Sequence, residues 1–138
     1  MPMDYTIIVY RREIFGDEHH EDWEGAFVGS KEKYTFDCPN VDSEKTAVLT
    51  FRCHGVDWKK NIFTINNKSF DLGLTPLLWP SSKANRFWQT ETLLVDEDIL
   101  KPAGNVLHVE ARNAKGGFDG NLDDFGIDNV VIYYKTKD

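Results

Sequence analysis

The chain is poor in sulfur. Its 138 residues include two cysteines and two methionines. Cys38 and Cys53 stand in no C-x-x-C spacing, and the four histidines add no H-x-x-x-H pair, so a zinc signature is missing. The spacing of the cysteines also argues against a disulfide. Segments 32–38 and 46–54 read as successive strands. If they pair as a hairpin, Cys38 lies near Thr46 and Cys53 falls roughly 20 Å further along, whereas a disulfide needs Cα atoms within ~7 Å. Two reduced, buried thiols are the expectation. Long hydrophobic runs are absent too. The longest, such as Ile7-Ile8-Val9-Tyr10, fall far short of the ~20 residues of a membrane-spanning helix. Positive charge is in deficit: 16 Lys plus Arg face 23 Asp plus Glu, for a net charge of −7. That balance speaks against electrostatic binding to nucleic acid. The N-terminus has neither a basic start nor a small-residue cleavage site, and reads as a first strand, with a cytoplasmic location expected.

Sustained helical periodicity is likewise missing, and short strand signals take its place. Residues 5–10 are β-branched and aromatic, and 33–38 alternate polar and apolar. In 47–54, Ala47, Leu49, Phe51 and Cys53 share one face, opposite Val48, Thr50, Arg52 and His54. Residues 61–70 read as a tight hairpin turning at Asn66-Asn67, because Asn tolerates positive φ. A long loop over 71–86 leads to a strand over 87–95, and 96–100 has the composition of one helical turn. Strands over 105–112 and 126–135 flank a Gly/Asp-rich loop over 114–124, and the acidic stretch 13–22 reads as a loop-like insertion. About eight short strands without repeat or linker predict one antiparallel β-sandwich domain spanning 1–138. Its expected inner face carries Ile7, Val9, Phe36, Leu49, Phe51, Ile62 or Phe63, Leu93, Leu107, Val109, Ile127 and Val131.

Two constellations carry chemistry. In 119–124, Asp119, Asn121 and Asp123 place oxygen ligands at alternate positions, which suits a hard cation such as Ca²⁺. The EF-hand pattern fails, since its sixth position is Asp124 and its twelfth Val130. The competing reading is an Asx-turn loop whose side chains cap their own backbone. The second constellation is aromatic. Trp58 and Trp79 fall in loops near Asn85 and Arg86, and rings beside amides and charges suit the C–H faces and hydroxyls of sugars. Trp88 heads a strand and is expected in the core, and His19-His20 in solvent. No nucleophile elbow, phosphate loop or Cys/His pairing occurs, and the expectation is a chain without catalytic activity.

The C-terminal half resembles galactose-binding-domain-like jelly rolls. The likeness is carried by "FTINNKSFDLG", by Trp88, Leu100, Gly104, Asn105, Leu107 and Val109, and by Asp124, Phe125, Ile127, Asn129 and Val130, over roughly residues 60–135. Leu100 to Gly104 is one residue longer than the family's spacing. The segment Trp23–Gly29 is similar to one in small prokaryotic β-sandwich proteins. The resemblance implies a jelly-roll fold, carbohydrate binding or protein–protein attachment, and in some members a structural calcium ion. That ion would join the terminal strands, with Asp4 as the natural extra ligand. The expected function is a binding module for a glycan or similar polar ligand through Trp58, Trp79, Asn85 and Arg86. The alternative is a protein-interaction module, with a homo-oligomer allowed.

Overall fold

The computed structural model describes residues 2–56, 60–72 and 88–137. They form ten strands: β1 (Met3–Val9), β2 (Glu13–Phe15), β3 (Ala26–Gly29), β4 (Lys31–Phe36), β5 (Ala47–His54), β6 (Ile62–Ile65), β7 (Lys68–Ser69), β8 (Gln89–Val95), β9 (Asn105–Glu110) and β10 (Phe125–Lys135). The fold is an all-β sandwich of two mainly antiparallel sheets. The larger runs β3-β2-β10-β5-β8, with β1 also on β10, and the smaller runs β4-β9-β6-β7. β2 and β3 pair parallel. Residues 96–100, expected as a helical turn, instead form a non-helical turn at Glu97-Asp98, with Asp98 at φ 66°.

Alternation builds the core between the sheets. β5 buries Ala47, Leu49, Phe51 and Cys53 and turns its other residues outward. Phe51 of the larger sheet meets Phe63 of the smaller at 4.9 Å between ring centroids. Asn66 and Asn67 both take positive φ (49° and 68°), the turn that matches the twist of the β6–β7 hairpin. Both cysteines are free and buried. They are kept apart by a different geometry from the expected hairpin. β4 pairs with β9 and β5 with β10 and β8, so residues 39–45 cross from one sheet to the other.

Ile7 and Val131, expected inside, lie outside. The cause is an irregularity in the β10–β5 register between Asp128 and Val131, where Asn129 has φ 48°. Before it, Phe125 and Ile127 point inward; after it, Val130, Ile132 and Tyr134 do. One extra residue reverses which side chains face the core. Val131 therefore turns outward, and so does its partner Ile7, exposed on β1. The 13–22 stretch is a second correction. It begins with a wholly buried strand, because Glu13 finds Tyr34 Oη donating at 3.2 Å and Arg11 at 3.1 Å.

Candidate functional site

Arg12, just before β2, sits across the sheet from β5 and β10 and donates through Nε to Asp128 at 3.1 Å. Arg52 of β5 donates to both oxygens of the same carboxylate at 2.7 and 2.6 Å. Asp128 is buried. Burial works to raise its carboxyl, but the hydrogen bonds and charges of Arg52 and Arg12 outweigh it and hold the group below the usual carboxylate range. The two guanidiniums then lie over Trp88, at 4.2 Å for Arg12 and 5.2 Å for Arg52 from the ring.

Glycine at position 126 gives Trp88 room to lie against the sheet. A Cβ there would stand 3.0 Å from the Trp88 ring and 2.9 Å from the Ile14 side chain. Trp88 is thus half-buried on the outer face of the larger sheet, not in the core. From it runs a chain of rings. His54 stacks on Trp88 at 5.3 Å, Trp23 meets His54 edge-on at 5.0 Å, and His20 stacks on Trp23 at 4.4 Å.

His20, expected in solvent, anchors the far end of that chain. Its Nε2 bonds Asp124 Oδ2 at 2.8 Å. That bond raises the imidazole above its ordinary value, against a smaller opposing effect of burial, with Asp124, Glu18 and Asp22 adding charge. The Asp17 amide also donates to Asp124, and the Leu122 amide to Asp17, so the 16–24 and 117–124 loops are sewn together. Position 16 must be glycine: φ is +142°, and a Cβ would fall 1.8 Å from Asp124 Oδ1.

The result is a cleft of about 280 Å³ walled by Trp23, His54 and Trp88, by Arg12, Asp22 and Glu24, and by Ile14. A second hollow of about 280 Å³ adjoins it through Arg12 and Glu24 and reaches Tyr10 and Asn129. The cleft offers ring surface and ionic hydrogen-bonding groups side by side.

The sequence-predicted residues fare differently. Trp58, Trp79, Asn85 and Arg86 lie outside the described residues. Asp119 and Asn121 are exposed, whereas Asp123 is buried and accepts from Asn61 Nδ2 at 2.8 Å. Asp4 cannot join a cation site there. It pairs with Tyr134, ten residues along β10 from Asp124, or roughly 33 Å of strand. Among the described residues, one group brings three metal-ligating side chains together: Glu18, His20 and Asp124, with ligand atoms within 4.8 Å of one another. Its shortest contact is the His20–Asp124 ion pair, which a cation would have to replace.

Trp23, His54, Arg12 and Asp128 were not singled out from sequence as a site. The available signal was His54 on the outward face of its strand, where a core role fails. Comparison with protein-family models, curated proteins and solved structures returns no match for this chain.

Proposed function

We propose that the protein is a non-catalytic binding module for a glycan or similarly polar ligand, seated in the cleft between Trp23 and Trp88. The observation that carries this reading is the pairing of ring surface with Arg12, Asp22 and Glu24 in one cleft. Sugars present C–H faces to rings and hydroxyls to charged groups, and this cleft offers both. The Asp128 clamp supports the reading from behind. It fixes Arg12 and Arg52 over Trp88, so little side-chain freedom is lost when a ligand docks. At about 280 Å³ the cleft suits a terminal sugar ring better than a long chain.

The test is a glycan array followed by calorimetric titration of the strongest sugar class. Trp23→Ala is expected to weaken binding at least tenfold, about 1.4 kcal/mol. Phe118→Ala, an exposed ring outside the cleft, leaves it unchanged. Absence of binding to every sugar class, or equal affinity of Trp23→Ala and wild type, removes the proposal.

A further inference from the structure

The opposite end of the same outer face has a different character. Register places Tyr5, Tyr133, Val48 and Leu94 side by side on β1, β10, β5 and β8, one row across four strands. Ile7 and Val131 follow in the next row, continued by Thr50 and Thr92. Tyr5 is 57% exposed, Ile7 53%, Leu94 66% and Tyr133 39%. We propose that this row is the interface of a homodimer, in which a second copy packs its own row face to face against it.

Two observations select a second copy as the occupant, and a third sets the strength of the contact. The first is charge. The chain carries 23 acidic residues and a net charge of −7, so two copies repel across most of their surfaces. Among the described residues that β1, β5, β8 and β10 direct outward, Asp128 is the one carboxylate, and Arg12 and Arg52 neutralise it. This is the face on which two such chains approach at least cost.

The second is shape. One half of the row is tall (Tyr5 and Tyr133, ring centroids 6.1 Å apart) and the other half is low (Val48 and Leu94). A two-fold axis parallel to the strands reverses the row across the interface. Tyr5 of one copy then meets Leu94 of the other, and Tyr133 meets Val48, tall against low throughout. Sheets packed face to face need this interdigitation, and a two-fold contact must be self-complementary.

The third is area. With large side chains of ~150–250 Å² each, the exposed fractions amount to on the order of 500 Å². That is a patch of the size that marks function on a monomer. It falls below the ~800 Å² per partner of a standard interface, so the dimer is weak and concentration-dependent. The cleft at Trp88 lies about 20 Å further along β8 than Leu94. In this arrangement the two clefts lie at the same end of the dimer, away from the apolar rows.

Sedimentation velocity across roughly 1–500 µM tests this, with a dissociation constant on the order of tens of micromolar expected. Leu94→Glu, at an exposed position that no core contact constrains, is expected to weaken association at least tenfold. Phe118→Glu, exposed on another surface, does not. In a mixture of Tyr5→Cys and Leu94→Cys proteins under mild oxidation, the mixed disulfide dominates, while buried Cys38 and Cys53 stay silent. A monomer at every concentration, a dimer indifferent to Leu94→Glu, or Tyr5→Cys linking preferentially to itself overturns the proposal.

Discussion

Replacing Asp128 by Asn removes the charge beneath the cleft while keeping size and one acceptor oxygen. In the wild type three charge-assisted hydrogen bonds converge on the buried carboxylate, two from Arg52 and one from Arg12. Hydrogen bonds to charged groups contribute ~1.5–3 kcal/mol each when intact. The substitution does not forfeit all of that. The Arg12 and Arg52 side chains are 27% and 36% exposed and can turn to water. The loss is therefore about 2–3 kcal/mol, under the ~3–5 kcal/mol seen when a partner stays buried and unpaired. For a chain of this length that is roughly 7–10 °C in Tm. The pH dependence gives the sign. The folded carboxyl is held below its ordinary value, so its contribution is present in full above the unfolded pKa near ~3.9 and is lost as pH falls through the folded pKa. Urea melts at pH 7 and at pH 3 should show a wide gap between wild type and Asp128→Asn at pH 7 and a narrower one at pH 3. A variant within about 0.5 kcal/mol of wild type at pH 7, or an equal gap at both pH values, refutes the clamp.

Two further outcomes are expected. Burial pushes the Cys38 thiol up to about 12, and burial with the neighbouring Glu91 charge raises Cys53 further. At pH 8 a thiol reagent should therefore label neither within minutes, and both in denaturant; rapid native labelling contradicts the packing. At Asn129, φ of 48° suits Asn or Gly. Denaturant melts should find Asn129→Gly within about 0.5 kcal/mol of wild type and Asn129→Val lower by ~1–3 kcal/mol, and equal stabilities would show that the left-handed backbone is not required there.

The legible parts of this chain are local. The alternation of Ala47, Leu49, Phe51 and Cys53 and the Asn66-Asn67 turn are both encoded within a few residues, and both form as expected. What the sequence hid depends on distant partners. Glu13 reads as part of an acidic loop until Tyr34 and Arg11 come within reach of its carboxylate. The strand phase of Val131 was lost at Asn129, a residue that looks unremarkable in an alternating run and shifts the register by one. The cleft was illegible for the same reason. Arg12 and Asp128 are 116 residues apart in the chain. The sequence points instead to Trp58 and Trp79, which lie outside the described residues, while Trp23 and His54 come together only when β5 and the 16–24 loop meet.

The irregularity at Asn129 also accounts for the two characters of the outer face. N-terminal to it, β10 directs Gly126 and Asp128 outward, a residue with no side chain and one with a short anion. Those suit seating a tryptophan against the sheet and holding two guanidiniums over it. C-terminal to it, β10 directs Val131 and Tyr133 outward. Had the strand kept one phase throughout, Asn129, Val131 and Tyr133 would face inward and Val130, Ile132 and Tyr134 outward. The interior would then hold the Asn129 amide in place of an aliphatic side chain, and burying an amide without a hydrogen bond costs ~1–3 kcal/mol. The extra residue thus lets one eleven-residue strand contribute the apolar residues of a single interior while presenting a charged, aromatic surface at one end and an apolar one at the other. The proposed ligand cleft and the proposed dimer contact need those two characters, and β10 supplies both on one face.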